Sequence, residues 1–422
     1  MKIATHTLGC KLNFAETSAI VQRFVEAGHT VVDFHQKADL YIINTCTVTS
    51  IAERKCRTAI HQAVAQAPNA QVAVIGCFAQ NAAKQIANIP GVSYIVGNER
   101  KGHLLEIVTG QLPPENGEMV EPRSFEPVYS TGDRTRVFFK IQDGCDYFCT
   151  YCAIPIARGR SRSATIEQTL AAARRIEQSG AKEVVLTGVN TGTFGLHNGE
   201  SLIDLLRGLD SIEGILRYRI SSIEPNLLTD EIIDFVATSR AFLPHFHVPL
   251  QAGSDKVLAL MHRRYTTADF AQKVNYIRDV MPDACIAADV MAGFNGETDE
   301  EFIDVCKYIE SLPLSYLHVF TYSERPNTAA LRMAENIPHA TRREHSKQLH
   351  HISDMKRKAF IESQMGKNRK VLWESAEHQG FMHGWTDNYI RLLQPYNPAA
   401  VNTVSLMKID NNTIVDKFSI EN

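Results

Sequence analysis

The sequence predicts an α/β protein in three parts: an N-terminal open parallel sheet, a central partial (βα)6 barrel and a small all-β barrel at the C-terminus. Three observations carry that prediction. Apolar runs of strand length alternate with helix-length stretches over most of the chain, a Pro-, Glu- and Gly-rich stretch interrupts the alternation at 111–133, and beyond Gly366 short alternating runs follow one another without helices between them. A length of 422 residues, against about 150 per domain, allows two to three domains. With 44% hydrophobic and 22% charged residues the composition is that of an ordinary globular protein, which excludes a disordered or collagenous chain. The formal net charge of −3 excludes an overall polycation, so any nucleic-acid contact has to rest on a local patch.

In the first part, KIATHTLG, DLYIINT, QVAVIG and YIVG read as strands, with helices at 15–27, 51–66 and 79–89 between them. A repeat of this kind makes a parallel sheet. Cys10, Cys46 and Cys77 each fall just past one of these strands, in LGC, NTC and IGC, at the carboxyl edge where open parallel sheets bind ligands. In the central part, VFFKIQ, VVLTGV, YRISSI, HFHVPL, CIAADVMAG and YLHVFTY read as six strands, with helices at 165–179, 229–239, 255–261, 267–280 and 299–312. Barrel sites form at the carboxyl ends of strands, and the loop after VFFKIQ carries GCDYFCTYC. A basic helical stretch at 341–364 leads into the tail, where KVLWES, NYIRLLQ, TVSLMKI and TIVDKFSI read as strands. The domains expected from this pattern are 1–112, 131–362 and 363–422.

No apolar run reaches the ~18 residues that span a bilayer, and the start turns polar too soon for a signal peptide, so the expectation is a cytoplasmic protein with no membrane partner. Nine cysteines, an odd number in a large chain of that kind, point to metal-binding or catalytic thiols instead of a disulfide framework. Cys145, Cys149 and Cys152 have CxxxCxxC spacing. A closed zinc site needs four ligands, commonly as two close pairs, whereas this run offers three and no fourth nearby. The natural occupant is a [4Fe-4S] cluster with one open iron, which the amino and carboxylate groups of S-adenosylmethionine are suited to chelate; one-electron cleavage of the sulfonium then makes a carbon radical.

GCDYFCTYC on the first barrel strand resembles the radical S-adenosylmethionine superfamily. TLGCKLNFAE, INTCTVT, IGCFAQ, LTGVN, SSIEPNLLTDE, HVPLQAGSD and WTDNYI extend the resemblance over essentially the whole chain to its methylthiotransferase family, and KIQDGCDYFCTYCAIPIARGRSRS points to the MtaB-type tRNA enzymes within it. The resemblance implies a radical-generating cluster on Cys145, Cys149 and Cys152, a second [4Fe-4S] cluster on Cys10, Cys46 and Cys77, and a C-terminal TRAM domain that helps bind substrate. It implies thiomethylation at C2 of N6-threonylcarbamoyladenosine 37 in the anticodon loop of tRNA. The partners would be that tRNA, a one-electron donor such as flavodoxin or ferredoxin, and a sulfur donor. Glu224, Gln251, Asp289 and Gly293, at strand ends, are the expected S-adenosylmethionine pocket. Two positions depart from the family pattern, Asn295 for Pro and Asn327 for Gly; Asn tolerates positive φ, so the second turn is expected to survive. Sister families acting on N6-isopentenyladenosine 37 or on a ribosomal-protein aspartate share both triads, and a non-catalytic zinc-dependent RNA-binding protein is the reading from another class.

The remaining motifs have plainer expectations. Cys56, Cys285 and Cys306 lack ligand spacing and read as buried apolar residues. His245 and His247 read as packing or hydrogen-bonding residues. Arg158, Arg160 and Arg162 in ARGRSRS read as contacts for RNA phosphates or as a solvated face, and Phe381, Trp385 and Tyr389 either stack on bases or fill a small core.

Overall fold

A computed structural model of the chain describes residues 1–422 apart from 116–118, 133–134, 334–335 and 416–422. The N-terminal part runs β1 (Lys2–Thr7), α1 (Lys11–Glu26), β2 (Thr30–Val32), β3 (Leu40–Thr45), α2 (Ser50–Gln66), β4 (Gln71–Gly76), α3 (Cys77–Ala87), β5 (Tyr94–Val96) and α4 (Leu104–Val108). Its five strands are all parallel in the order β2-β1-β3-β4-β5. Every residue of β3 is buried, because helices cover both faces of the sheet, and LYIINT is accordingly a near-continuous apolar run. The short edge strand β2 was not expected; three residues are too few to show a period.

The central part runs β6 (Val128–Tyr129), β7 (Arg136–Lys140), β8 (Gln142–Asp143), α5 (Ile154–Arg158), β9 (Arg162–Ser163), α6 (Ile166–Gln178), β10 (Glu183–Thr187), α7 (Leu202–Asp210), β11 (Arg217–Ile220), α8 (Asp230–Thr238), β12 (His245–His247), α9 (Asp255–Leu260), α10 (Thr267–Val280), β13 (Cys285–Ala292), α11 (Asp299–Ser311), β14 (Tyr316–Thr321) and α12 (His339–Gln364). All six expected strands form. Parallel pairing links β7, β10 and β11 in one sheet and β12, β13 and β14 in another, and a parallel bridge between Tyr218 and Phe242 joins the two. Thr165, Thr266 and Thr298 begin α6, α10 and α11 as reciprocal capping boxes, which fixes where those helices start. Helix α7 was missed; its Gly208 brings it close against Leu170 of α6.

In α12, Arg342, His345, Leu349, Ile352, Ser353, Phe360 and Ile361 are buried, a helical stripe packed on β13 and β14. The stretch is therefore not uniformly a basic surface: Arg342 lies inside, paired with Glu324 and donating to the Tyr322 carbonyl, while Arg343 and Lys347 are exposed.

The tail forms β15 (Asn368–His378), β16 (Phe381–Thr386), β17 (Arg391–Pro395) and β18 (Val404–Lys408), an antiparallel sheet ordered β17-β16-β15-β18. Strand β16 forms where the sequence pattern predicts no strand, and most of the expected TIVDKFSI strand lies outside the described residues. The core of this sheet, Val371, Trp373, Met382, Ile390, Leu392 and Ile409, is continuous with Cys285, Ala287 and Tyr316 of the central strands. Beside it, buried Glu183 pairs with Arg217 (2.8 Å) and Arg219 (2.7 Å), and those guanidiniums donate to the carbonyls of Trp385, Thr386 and Asp387. The tail is thus held by shared core and by charge-assisted hydrogen bonds.

Candidate functional site

Cys10 occupies the N-cap of α1, Cys46 follows β3 directly, and Cys77 opens α3 after β4. All three lie at the carboxyl edge, around the reversal of strand order between β1 and β3 where open sheets form a crevice. Gly9, at φ +104°, allows the approach: a Cβ there would sit 2.9 Å from Cys46 Cβ and 3.1 Å from its sulfur. Burial pushes the Cys46 thiol up to about 12, and the nearby Cys77 and Cys10 add to the rise. Cys10 keeps an exposed surface, yet the protein crowded around it raises its thiol as well, opposed by the Arg158 charge. Asn98 Nδ2 approaches Cys77 Sγ at 3.7 Å. The structure thus gathers these three residues from 36 and 31 positions apart in one charge-coupled neighbourhood. Cys56, read as an apolar residue, also supports the Cys46 loop: it accepts from the Cys46 N–H at 3.4 Å.

Arg158 corrects one expectation. It is 1% exposed and cannot meet RNA: it donates to Glu16 (3.1 Å), Asp143 (2.9 Å) and Asn13 (2.6 Å). Lys101 and Lys140 complete the network on Glu16, at 2.5 and 2.9 Å, and Arg162 is drawn to Asp143 at 3.4 Å. Of the three arginines only Arg160 is open, at 71% side-chain exposure. The physical reason is local. Asp143 stands two residues before Cys145 and Glu16 six after Cys10, so buried carboxylates on both cysteine segments need cations that a sequence pattern cannot assign.

The CxxxCxxC loop leaves β8 through Gly144 at φ +69°, where a Cβ would lie 1.9 Å from the Arg160 carbonyl oxygen, a place only glycine fits. Backbone N–H groups of Tyr147 and Ile154 point at the sulfurs of Cys145 and Cys152, each at 3.4 Å, and Arg263 Nη1 donates to Cys149 at 3.2 Å. Burial pushes Cys145 up to about 11 and Cys152 to about 12 as thiols, so a cationic group is what would make them thiolates. Among the described residues only His247, Asp289 and His318 bring ligand atoms all within 4.8 Å of one another. Neither cysteine triad has all three sulfurs within 4.8 Å of one another, whereas a single tetrahedral ion with bonds of about 2.3 Å would hold them about 3.8 Å apart.

The expected cofactor pocket is reached in different ways. Glu224 pairs with Arg263, and through it stands beside Cys149; burial raises its carboxyl and Arg263 opposes the rise. Asp289 accepts from His247 Nε2 at 2.7 Å; burial acts to raise its carboxyl, and His247 together with His318 and Arg263 outweighs that. Gln251, at φ +64°, pairs by its backbone with Asp289 and Met291 (2.7 and 2.8 Å). Gly293, at φ +72°, packs against Arg342 of α12, where a Cβ would be 2.4 Å from its Cγ. Asn295 is buried and bonds the Ala330 carbonyl at 3.2 Å, and Asn327 adopts φ +65° as its residue type permits.

Residues two apart on a strand share a face, so His245 and His247 both point inward. His247 commits both ring nitrogens, to Ser222 (2.6 Å) and Asp289, which makes a hydrogen-bonded relay of the one tight cluster. The His245 ring lies tilted against Tyr389, with centroids 4.5 Å apart. Arg263, Ser222 and His318 were missed; adjacent Arg263 and Arg264 are alike in sequence, and only the fold turns the first inward. Trp385 and Tyr389 stack on each other at 4.5 Å, which leaves Phe381 as the exposed ring of the three expected stackers.

Comparison with known proteins agrees with this geometry. Residues 139–309 match the model of the Radical SAM superfamily, and residues 2–97 that of the uncharacterized protein family UPF0004. Among solved structures, the radical S-adenosylmethionine methyltransferase TsrM from Kitasatospora setae, with cobalamin and a [4Fe-4S] cluster bound, has a TM-score of 0.58 at 16% identity, covering 78% of this chain and 76% of that one. The likeness shows a shared fold.

Two curated relatives are nearer. Threonylcarbamoyladenosine tRNA methylthiotransferase MtaB of Bacillus subtilis is 39% identical over 93% of this chain and 90% of its own, and that of Aquifex aeolicus 37% identical over 88% and 92%. The chain belongs to the radical S-adenosylmethionine tRNA methylthiotransferases, in the group named MtaB. No helix among the described residues is long and apolar enough to cross a membrane.

Proposed function

We propose that this enzyme thiomethylates C2 of N6-threonylcarbamoyladenosine at position 37 of tRNA, with two [4Fe-4S] clusters and S-adenosylmethionine. The observation that carries the reading is the pair of cysteine triads joined by one buried charge network: Arg158 touches Asp143 beside the first triad and Asn13 and Glu16 beside the second. Cys145, Cys149 and Cys152 would hold the radical-generating cluster and Cys10, Cys46 and Cys77 the second, with Glu224, Gln251, Asp289 and Gly293 around S-adenosylmethionine. When bound, these groups supply one-electron cleavage of the sulfonium and the delivery of a methylthio group to carbon.

The chain's own residues do the positioning. Arg263 and the N–H groups of Tyr147 and Ile154 favour the thiolate forms in the first loop, since hydrogen bonds to the charged form stabilise it. Arg158, whose charge reaches Cys10 and Cys77, offsets negative charge on the second triad. Glu16 and Asp143 hold that guanidinium in place, and Lys101 and Lys140 balance the carboxylates.

In this reading the six central strands form a partial (βα)6 barrel, the tail sheet is a TRAM barrel that helps bind the anticodon loop, and the domains divide at 1–112, 131–362 and 363–422. A cytoplasmic site of action, a one-electron donor such as flavodoxin or ferredoxin, and a sulfur donor belong to it. The test is mass spectrometry of tRNA nucleosides from cells with and without the gene. Loss of the methylthio form of threonylcarbamoyladenosine on deletion is the expected result; loss of methylthio-isopentenyladenosine instead would assign the other adenosine, and no change in either would overturn the tRNA reading.

A further inference from the structure

The central strands and the tail sheet meet around Tyr389. Its ring lies 4.5 Å from His245 and 4.5 Å from Trp385, and the guanidiniums of Arg219 and Arg136 stand over Tyr389 and Trp385 at 5.0 and 4.8 Å. Burial acts to raise the Tyr389 phenol, but the charges of Lys11, Arg136 and Arg219, in that order, outweigh it and hold it below its ordinary value. Lys11 is felt also by His245 and His318. The charge of the first residue of α1, beside Cys10, is therefore felt by Tyr389 of the tail and by His245 and His318 of the central strands.

Two features of this junction are unspent. The first is charge. Glu183 is taken by Arg217 and Arg219, Glu374 by Arg136 and Asp289 by His247, whereas Lys11 is exposed and has no carboxylate within ion-pair distance among the described residues. The second is hydrogen bonding. His245 is 7% exposed, yet both its ring nitrogens lack partners, and so does the buried indole N–H of Trp385. Buried polar groups without partners are rare enough that a cluster of them marks a place for something else. An isolated cation, an imidazole that burial keeps neutral and an indole N–H together suit a ligand bearing an anionic oxygen and further hydrogen-bonding groups.

We propose that Lys11, together with His245, Trp385 and Tyr389, recognises a carboxylate on the substrate nucleoside, and is the residue that selects a threonylcarbamoyl over a neutral N6 substituent. This rests on the functional reading above. The position beside Cys10 favours a group on the reacting nucleoside over a backbone phosphate, because the carbon to be thiomethylated has to reach the same cysteine segment.

The test compares two anticodon stem-loop RNAs, one carrying N6-threonylcarbamoyladenosine and one with its threonyl carboxylate converted to the primary amide. The readout is the ratio of kcat/KM between acid and amide for wild type, Lys11→Met and Lys11→Arg, each checked for iron and sulfide content. A charge-assisted contact predicts a wild-type ratio of roughly 10 to 100. The ratio should fall to about 1 in Lys11→Met and be largely kept in Lys11→Arg. A Lys11→Met enzyme that keeps the wild-type ratio overturns the inference, whether its rates fall equally on both RNAs, as for a phosphate contact, or do not change. A wild-type enzyme inactive on the acid RNA but active on an isopentenyladenosine RNA overturns the functional reading itself.

Discussion

Replacing Arg158 with Met tests whether the buried network ties the two cysteine segments together. The guanidinium is 1% exposed and holds two carboxylates that are themselves 4% and 1% exposed. Removing one partner of a buried ion pair costs about 3–5 kcal/mol, because a buried charge is left uncompensated. Here Glu16 keeps Lys101 and Lys140, and Asp143 keeps Lys140 and Arg162, so the expected cost is at the low end, about 3 kcal/mol. At roughly 2–4 °C per kcal/mol for a cooperative unit of 150–250 residues, that is a fall of about 6–12 °C in Tm. The assay is thermal and urea unfolding of R158M, E16Q and the double variant. The pair shares a hydrogen bond, so the double variant should lose less than the sum, by about 1–3 kcal/mol. An R158M protein within about 0.5 kcal/mol of wild type, or strictly additive losses, would refute the argument that this guanidinium is the buried tie.

Three further outcomes follow from the same geometry. Ala at Cys145, Cys149 or Cys152 should abolish cleavage of S-adenosylmethionine, whereas Ala at Cys10, Cys46 or Cys77 should spare cleavage and abolish sulfur insertion; liquid chromatography of 5′-deoxyadenosine and of product nucleosides separates the two, and normal thiomethylation by C77A would sink the second-cluster assignment. Burial acts to raise the Glu16 and Asp143 carboxyls, but Arg158 above all outweighs it, and both are held far below the ordinary range. Their contribution is therefore complete above ordinary carboxylate values, about pH 4–5, and is lost as pH falls below them; urea midpoints from pH 6 down to pH 3 should drop less steeply in R158M than in wild type. Trp373→Ala, at a side chain 1% exposed in the core shared by the tail sheet and β13, should cost about 3–5 kcal/mol by chemical denaturation and lower the stability of the central part with it.

Periodicity made most of the fold legible, because the strands that position the site are buried and apolar and the helices between them carry caps. It failed where elements are too short or too plain to show a period: the three residues of β2, α7 with its internal Gly208, and FMHGWT of β16, whose exposed Phe381 and half-buried Trp385 read as functional aromatics. In the site, covalent chemistry is what sequence displays best. Cys145, Cys149 and Cys152 announce themselves by spacing, and Cys10, Cys46 and Cys77 by their place after strands. Charges are displayed worst, since Arg158 and Arg160 differ by two positions and by nearly the whole range of exposure. Which arginine turns inward depends on one carboxylate 15 residues away and another 142 away, and the orphaned nitrogens of His245 can be seen only once the tail sheet has closed beside it.

The core that Trp373, Met382 and Leu392 share with Cys285, Ala287 and Tyr316 bears on how such enzymes can be re-engineered. A terminal module tethered by a linker could be exchanged between relatives to change the RNA it accepts, as a handle is changed on a tool. This one is built into the wall of the central strands, so a graft cut at Gln364 would open a hole behind β13 and β14 and sever the carbonyl contacts of Arg217 and Arg219. Chimaeras have to carry the matching faces of those strands along with the tail, because the tail sheet and the central strands share one core.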